Sequence, residues 1–584
     1  MKMHRTLKNS LFAAAALLAL AACAGMDDDW PAQPGEGRDD AASAASPPSS
    51  YPGHPNTRPE IRGEDFAART KALADDRFEG RGPGTKNGEA AADWIADEMK
   101  RMGLKPGANG GYFQDVPAAS ITLDPAQSTF EISSRKGKLA PKFGDEVAFW
   151  TPRFDKEDQE VKNSDLVFVG YGVTAPQERW NDFKGVNVKG KTIVVLINDP
   201  GFIVRDESMF KGRAMTYYGR WTYKFEEAAR RGAAAVIIVH ETEPAAYGWQ
   251  VVRNSNQGAK YYLDKPNGNA DLAMVHSWIT TEVAKDLFAR AGLSYDKLRL
   301  AANKRGFKPV RMKGLKLNAT THSAVARMNT RNVIGVVPGA EKPDEYVLYT
   351  AHWDHLGVKP GVPGDDKIHN GAVDNASGTA AVLEMAEAFA KKPPRRSVMF
   401  AFVTLEEQGL LGSEYLAKHP PVPLGKIVAG MNFDGVGPSP GSHDMTIVGS
   451  GASELEDILA AELKKAGRVT APDPEPEKGS FYRSDHISLA KVGVPELYAG
   501  GGIDLLEGGK EAGMALRDDY RANRYHQPSD EYDANWDWSG ALRELRIFYA
   551  IGRELAMSAD WPEWNQGEEF RAIRDRSRAS AAPR

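Results

Sequence analysis

Five short stretches of the 584-residue chain carry side chains able to hold metal ions and move protons. His352-Trp353-Asp354 follows the apolar run Tyr346-Val-Leu-Tyr349, and Asp374 heads Asp374-Asn-Ala-Ser-Gly378 just before a helical pattern from Thr379. Glu406-Glu407 follows Phe400-Ala-Phe-Val-Thr-Leu405, Asp434 follows Ala429-Gly-Met-Asn-Phe433, and Tyr525-His526 opens a polar segment far downstream. Imidazole nitrogens and carboxylate oxygens suit a borderline metal such as zinc. Neighbouring carboxylates at a strand end can point to opposite sides, so that one holds a metal while the other faces water, the division that metal-assisted hydrolysis needs. Each piece alone is weak, since a Glu-Glu pair is usually a solvated face and a lone histidine usually structural. Their joint placement after successive strand-like runs is what points to a site.

The elements that must position these groups alternate. Strand-like runs at 333–337, 346–349, 397–403 and 426–431 are interleaved with helical patterns at 379–391 and 413–418. The expected fold is therefore α/β, a mostly parallel mixed sheet with helices on both faces and a site at the carboxyl ends of its strands. Two helical patterns precede it, one through Phe66, Leu73, Ala74 and Phe78 and one from about Asn87 to Met102, joined by the turn-forming loop Glu79-Gly-Arg-Gly-Pro-Gly-Thr85. Residues 121–325 differ in character. Short β-like runs at 165–170, 192–197 and 233–239 and an amphipathic stretch at 222–231 read as a smaller inserted α/β module. His240, isolated there, reads as structural. The catalytic part is then 58–120 together with 326–565, and the polar segment 566–584 is expected to be a disordered tail.

Composition limits the classes. Net charge is 74 − 79 = −5 with no basic block, so nothing suggests nucleic acid as a partner. Hydrophobic residues make up 41% and charged residues 26%, enough to build a large core. The single cysteine, Cys23, excludes an internal disulfide and a thiolate zinc site. It follows Lys2, His4, Arg5, Lys8 and the apolar run Leu11–Ala22, a pattern too short to span a membrane but right for a signal peptide. Leu20-Ala-Ala-Cys23 resembles a bacterial lipoprotein box. That resemblance implies cleavage after residue 22, a lipidated Cys23 and, with Ala24 next, an anchor in the outer membrane facing periplasm or surface. Residues 24–57, rich in Ala, Ser, Pro, Gly and Asp, read as a disordered tether.

Together, His352-x-Asp354, Asp374-Asn-Ala-Ser-Gly378, Glu406-Glu407-x-Gly-Leu-Leu-Gly-Ser413, Asn432-Phe-Asp434, Ser484-Asp-His486 and Tyr525-His526 resemble the bacterial and vacuolar di-zinc aminopeptidases, relatives of glutamate carboxypeptidase II and the transferrin receptor. The loop Glu79–Thr85 resembles that family's N-terminal signature, and 121–325 resembles its inserted protease-associated domain. The resemblance implies two Zn2+ ions bridged by Asp374, with His352 and Asp434 completing one site and Glu407 and His526 the other. It further implies Glu406 as general base, Tyr525 as oxyanion donor, and Asp354 as the partner that orients His352. Relatives often carry an acid where this chain has Val373; counting back from Gly378 leaves the ligand on Asp374. His355, His369 and His486 read as pocket or supporting groups rather than ligands.

The implied activity is removal of N-terminal residues from peptides. Both aminopeptidases and carboxypeptidases of such a family use the same ligands, so the direction of attack rests on charge. Asp354, Asp365, Asp366, Glu406, Glu407 and Asp434 make an acidic mouth suited to a free α-ammonium group. Arg81, Arg483 and Arg524 are the arginines near motifs that could instead grip a carboxylate. Alternatives are a carboxypeptidase or dipeptidase, a one-zinc acyltransferase like glutaminyl cyclase, and a non-catalytic receptor-like lipoprotein.

Overall fold

The computed structural model describes residues 54–581, so the expected signal peptide, Cys23 and the expected tether up to residue 53 lie outside the described residues. The described chain forms two compact units. One holds 118–327 and 474–482; the other holds 54–117, 328–473 and 483–581.

The larger unit is built on five strands: β1 (Val310–Val337, of which the last residues belong here), β2 (Lys342–His352), β3 (Arg396–Val403), β4 (Ile427–Phe433) and β5 (Glu496–Leu497). Their order is β5-β4-β2-β3-β1; the β5–β4, β4–β2 and β2–β3 pairs are parallel and β3–β1 is antiparallel. β3 and β4 are buried at every position, which is why they read as continuous apolar runs instead of alternating ones. One face of the sheet, through Val347, Tyr349, Phe400 and Phe402, packs on helices α1 (Gly63–Leu73), α2 (Lys86–Arg101), α3 (Gly378–Lys391) and α4 (Ser539–Met557). The other face, through Leu348, Met399, Ala401 and Val403, packs on Leu416, Ala417 and Leu489. The helix α4 comes so close that a Cβ at Gly552 would sit 1.8 Å from the Tyr349 hydroxyl, which donates to Phe548 O at 2.9 Å. Register then aligns the strand ends. His352 lies opposite Val403 and Ala351 opposite Phe433, so His352, Glu406 and Asp434 leave the sheet along one edge.

Two expectations at the chain ends need correction. Residues 54–57, read as tether, are held: His54 stacks on Trp94 with ring centroids 5.1 Å apart, its Nδ1 lies 2.7 Å from Glu98 Oε1, and Thr57 Oγ1 donates to Glu387 Oε2 at 2.7 Å. Polar residues in a proline-rich run found buried acids as partners. The tail 566–584 likewise contains helix α5 (Arg571–Ala581), pinned by the fully buried Arg574, whose guanidinium donates to Ile427 O and Val428 O at 2.9 and 3.1 Å. Its anchor is an arginine, and periodicity of apolar residues does not register it.

The smaller unit carries the parallel strands Asp158–Phe168, Thr192–Leu196, Ala235–Val239 and Val275–Ile279, edged by the antiparallel Val147–Trp150. Helix Trp221–Arg230 covers it and buries Lys224, which donates to the carbonyls of Tyr171, Asn198 and Tyr218, each at 2.7 Å. Burial, opposed by Asp199 and Asp182, brings this ammonium down to about 7. The remote segment 474–482 belongs to this unit, with Met215 N–H donating to Pro476 O at 3.1 Å. His240 serves structure, its Nε2 lying 3.0 Å from Tyr247 O.

The larger unit also holds a largely buried charge cluster. Arg69, fully buried on α1, pairs with Glu98 of α2 at 3.3 Å and with Glu384 and Glu387 of α3. Removing one partner of such a cluster leaves uncompensated buried charge, a loss of about 3–5 kcal/mol. Arg69→Met should therefore lower the stability of this unit by that amount, read as a shift in its denaturant midpoint.

Candidate metal centre

Asp374 sits at the middle of the site because its main chain is braced. The fully buried Asp530 accepts from the N–H groups of Val373 at 3.2 Å and Asp374 at 3.1 Å, and its own carbonyl accepts from Ala372 N–H at 2.8 Å. The Asn375 side chain donates to Phe433 O at 2.9 Å and accepts from Gly378 N–H at 3.0 Å and Gly435 N–H at 3.1 Å, tying this loop to the end of β4. From the other side comes Arg81, whose guanidinium donates to the carbonyls of Trp353, Leu73, Asn370 and Gly371. Burial lowers it to about 10, against the pull of Asp374, Asp530, Asp354 and Glu407.

Held in this way, the two oxygens of Asp374 face different histidines. Oδ1 lies 3.3 Å from His352 Nε2, which is also 3.3 Å from Asp434 Oδ1. Oδ2 lies 3.2 Å from His526 Nε2, which is also 3.1 Å from Glu407 Oε2. The expected ligands thus gather as two sets sharing one carboxylate. The adjacent acids part as well: Glu406 joins His352 and Asp434, while Glu407 joins His355 and Asp374, the donor atoms of each group lying within 4.8 Å of one another. Leu405, just before them, has φ 55° and turns the chain sharply out of β3. His526, at φ 59°, is held in the same left-handed region, a strain found where surrounding structure over-determines a functional residue.

The electrostatics follow from crowding acids around two imidazoles. Burial disfavours charge on His352, but Glu406, Asp374 and Asp434 outweigh it and hold the ring well above its usual value. His526 is likewise pushed up to about 10, burial being overcome by Glu407 and Asp374. Burial and then the charges of Asp434, Glu407 and Asp485 raise Glu406 well above the usual carboxylate range, against His352. Asp374 is held well below that range, where its imidazole partners overcome burial. Nitrogen and carboxylate donors without thiols fit zinc, and the protons now shared among them mark the charge that cations would replace.

Other expected residues take partly different places. Asp354 reaches the His352 ring twice: its main-chain oxygen lies 3.1 Å from His352 Nδ1, and its Oδ1 forms a longer ion pair with it at 3.8 Å. The chain turns after β2 so that the carbonyl of Asp354 passes beneath the ring, and its Oδ1 accepts from Glu406 N–H at 3.2 Å. Tyr525 stacks on His526 with centroids 3.8 Å apart, and burial followed by the nearby acids keeps its phenol protonated. His369 is buried outside the donor sets, and His486 is buried against Tyr498 at 4.4 Å. His355, by contrast, reaches Glu407 directly. Sequence reasoning missed Asp530 and Tyr498. Asp530 sits four residues after His526, where proximity alone could have suggested it. Tyr498 directly follows β5 at a strand end, and burial, then Asp434 and Glu406, raise its phenol well above the usual value.

Residues 332–550 match the model of Peptidase family M28, the stretch that holds all of the expected ligands. This segment is similar to M28 peptidases. Among relatives, a probable zinc metalloprotease of Pyrenophora tritici-repentis is 28% identical over 213 residues, 35% of this chain and 48% of that protein. The probable lipoprotein aminopeptidase LpqL of Mycobacterium tuberculosis is 26% identical over 347 residues, 56% of this chain and 59% of that protein. The chain spans about half the length of the curated relatives it matches first, 48% and 47%. The aminopeptidase from Aneurinibacillus sp. strain AM-1 aligns in structure at TM-score 0.46 and 19% identity, covering 86% of this chain and 96% of that one.

A pH dependence follows from the shifts. A group raised in the folded state, as His526 is from 6.5 to about 10, contributes stability that is complete below pH 6.5 and lost as the pH climbs toward 10. The raised Glu406 acts in the same direction. Chelator-treated protein should therefore lose thermal stability between pH 6.5 and 10. Zinc titration at pH 7 should release on the order of two protons, measured by calorimetry in buffers of different ionisation enthalpy.

Proposed function

We propose that the chain is a zinc-dependent M28 exopeptidase that removes N-terminal residues from peptides at a two-ion centre. The observation that supports this most is the sharing of Asp374, whose oxygens each complete a set of three protein donors. His352, Asp374 and Asp434 would hold one zinc, and Asp374, Glu407 and His526 the other. A one-zinc acyltransferase has no use for the second set. Bound zinc would polarise the scissile carbonyl and make water a stronger acid.

The chain's own residues then divide the work. Glu406 stands beside His352 and Asp434 without being needed in either set, and its carboxylate takes the proton of the attacking water and passes it to the leaving amine. Tyr525, kept as a phenol, donates to the developing oxyanion. Glu406→Gln should keep the metal content and lower turnover by about 10²–10⁴-fold. Metal analysis beside peptide hydrolysis checks both halves.

The arginines bear on direction. All the guanidinium nitrogens of Arg81 are committed to carbonyls, and Arg524 lies over the Trp536 ring at 5.5 Å while donating to Ser529 O at 3.3 Å. Arg81 therefore has no nitrogen left to grip a terminal carboxylate, leaving Arg483 and Arg524 as the arginines that could, and the acidic mouth supports recognition of an α-ammonium group. Acetylating the N-terminus of a good substrate should abolish its cleavage, while amidating the C-terminus should leave it within a few-fold, both read by mass spectrometry. The proposal retains Cys23 as a lipid anchor to the outer membrane. No helix among the described residues is long and apolar enough to cross a membrane.

A further inference from the structure

His355 is completely enclosed, and its Nδ1 lies 2.6 Å from Glu407 Oε1. The other oxygen of that carboxylate, Oε2, is 3.1 Å from His526 Nε2. Glu407 is thus gripped at both oxygens by different imidazoles. A carboxylate offers only acceptor oxygens, so at this separation Glu407 Oε1 accepts and His355 Nδ1–H donates. A nitrogen bearing that proton has no lone pair to give a metal, and the short separation is that of a charge-assisted hydrogen bond. The ring is also wedged. Its main-chain N–H donates to Arg81 O at 3.2 Å, and a Cβ at Gly371 would meet His355 Cδ2 at 2.5 Å.

We propose that His355 is a positioning residue for the second ion. By pinning Oε1 of Glu407, it leaves Oε2 to converge with Asp374 Oδ2 and His526 Nε2, and so sets how tightly that half of the centre holds its metal. This rests on the two-ion reading. The rival arrangement makes His355 a direct ligand, since its donor atom and those of Asp374 and Glu407 also lie within 4.8 Å of one another.

The test titrates the full chain and its His355→Ala, His355→Asn and His355→Gln variants with Zn2+ against a competing chelator, and records visible spectra of the Co2+ forms. An asparagine amide N–H can stand where Nδ1–H does; a glutamine amide reaches the Nε2 position instead. The parent should take two ions. Ala and Gln should keep one ion at parental affinity and bind the second about 10–100-fold more weakly, the usual cost of losing such a support. Asn should recover most of that affinity and retain the parental Co2+ spectrum. Second-ion binding by Asn as weak as by Gln, with loss of one site's Co2+ bands, would make His355 a ligand and overturn the proposal. Parental affinity in Gln would also overturn it. The Asn–Gln comparison holds even where the Ala variant does not fold. A parent that takes one ion would overturn the two-ion reading itself, an outcome seen without any variant.

Discussion

A single carboxylate with one oxygen turned to each of two histidines is the constraint from which the rest of this site follows. Asp374 can serve two sets only if its Cα and plane are fixed, since a rotation of a few tens of degrees would favour one histidine over the other. The structure spends several buried groups on this. Asp530 takes the N–H groups of Val373 and Asp374 from one side, Asn375 ties the loop to the end of β4, and Arg81 holds the carbonyls of Asn370 and Gly371. None of these three is in either donor set. They act on the backbone, which makes their contribution one of orientation.

The same constraint explains the crowding of acids. Buried carboxylates are costly unless paired, yet Asp374, Glu407 and Asp434 pair with the imidazoles of His352, His355 and His526 and with no lysine or arginine among the described residues, with Glu406 beside them. Without cations, protons make up the balance: the histidines are held charged and Glu406 is held neutral. Elsewhere in the unit a permanent cation is built in, where Arg69 is buried among Glu98, Glu384 and Glu387, with Arg101 also paired to Glu98 and Glu387.

Much of this was legible in the residues. The runs Val347–Tyr349 of β2, Val398–Val403 of β3 and Ile427–Met431 of β4 lack charged residues because both of their faces are covered, and the chemistry-bearing residues follow each run within one to four positions, where a parallel sheet must place its site. The motif spacing sufficed to nominate His352, Asp374, Glu406, Glu407, Asp434 and His526, all of which the fold brings together. The helix in 571–581 was not legible, because its anchor Arg574 looks like any surface arginine until the carbonyls of β4 are beside it.

Sequence by itself determined which donors exist and on which strand ends they stand, since these depend on local pattern and on a topology that few alternatives can satisfy. Tertiary structure decided how they are oriented. That the carbonyl of Asp354 comes closer to His352 than its carboxylate does, that Asp530 braces Asp374, and that His355 takes the second oxygen of Glu407 are matters of less than an ångström between residues up to 157 positions apart. Hydrogen bonds discriminate at that scale and residue spacing does not. Direction in space is set by packing around each group, and only the folded chain supplies it.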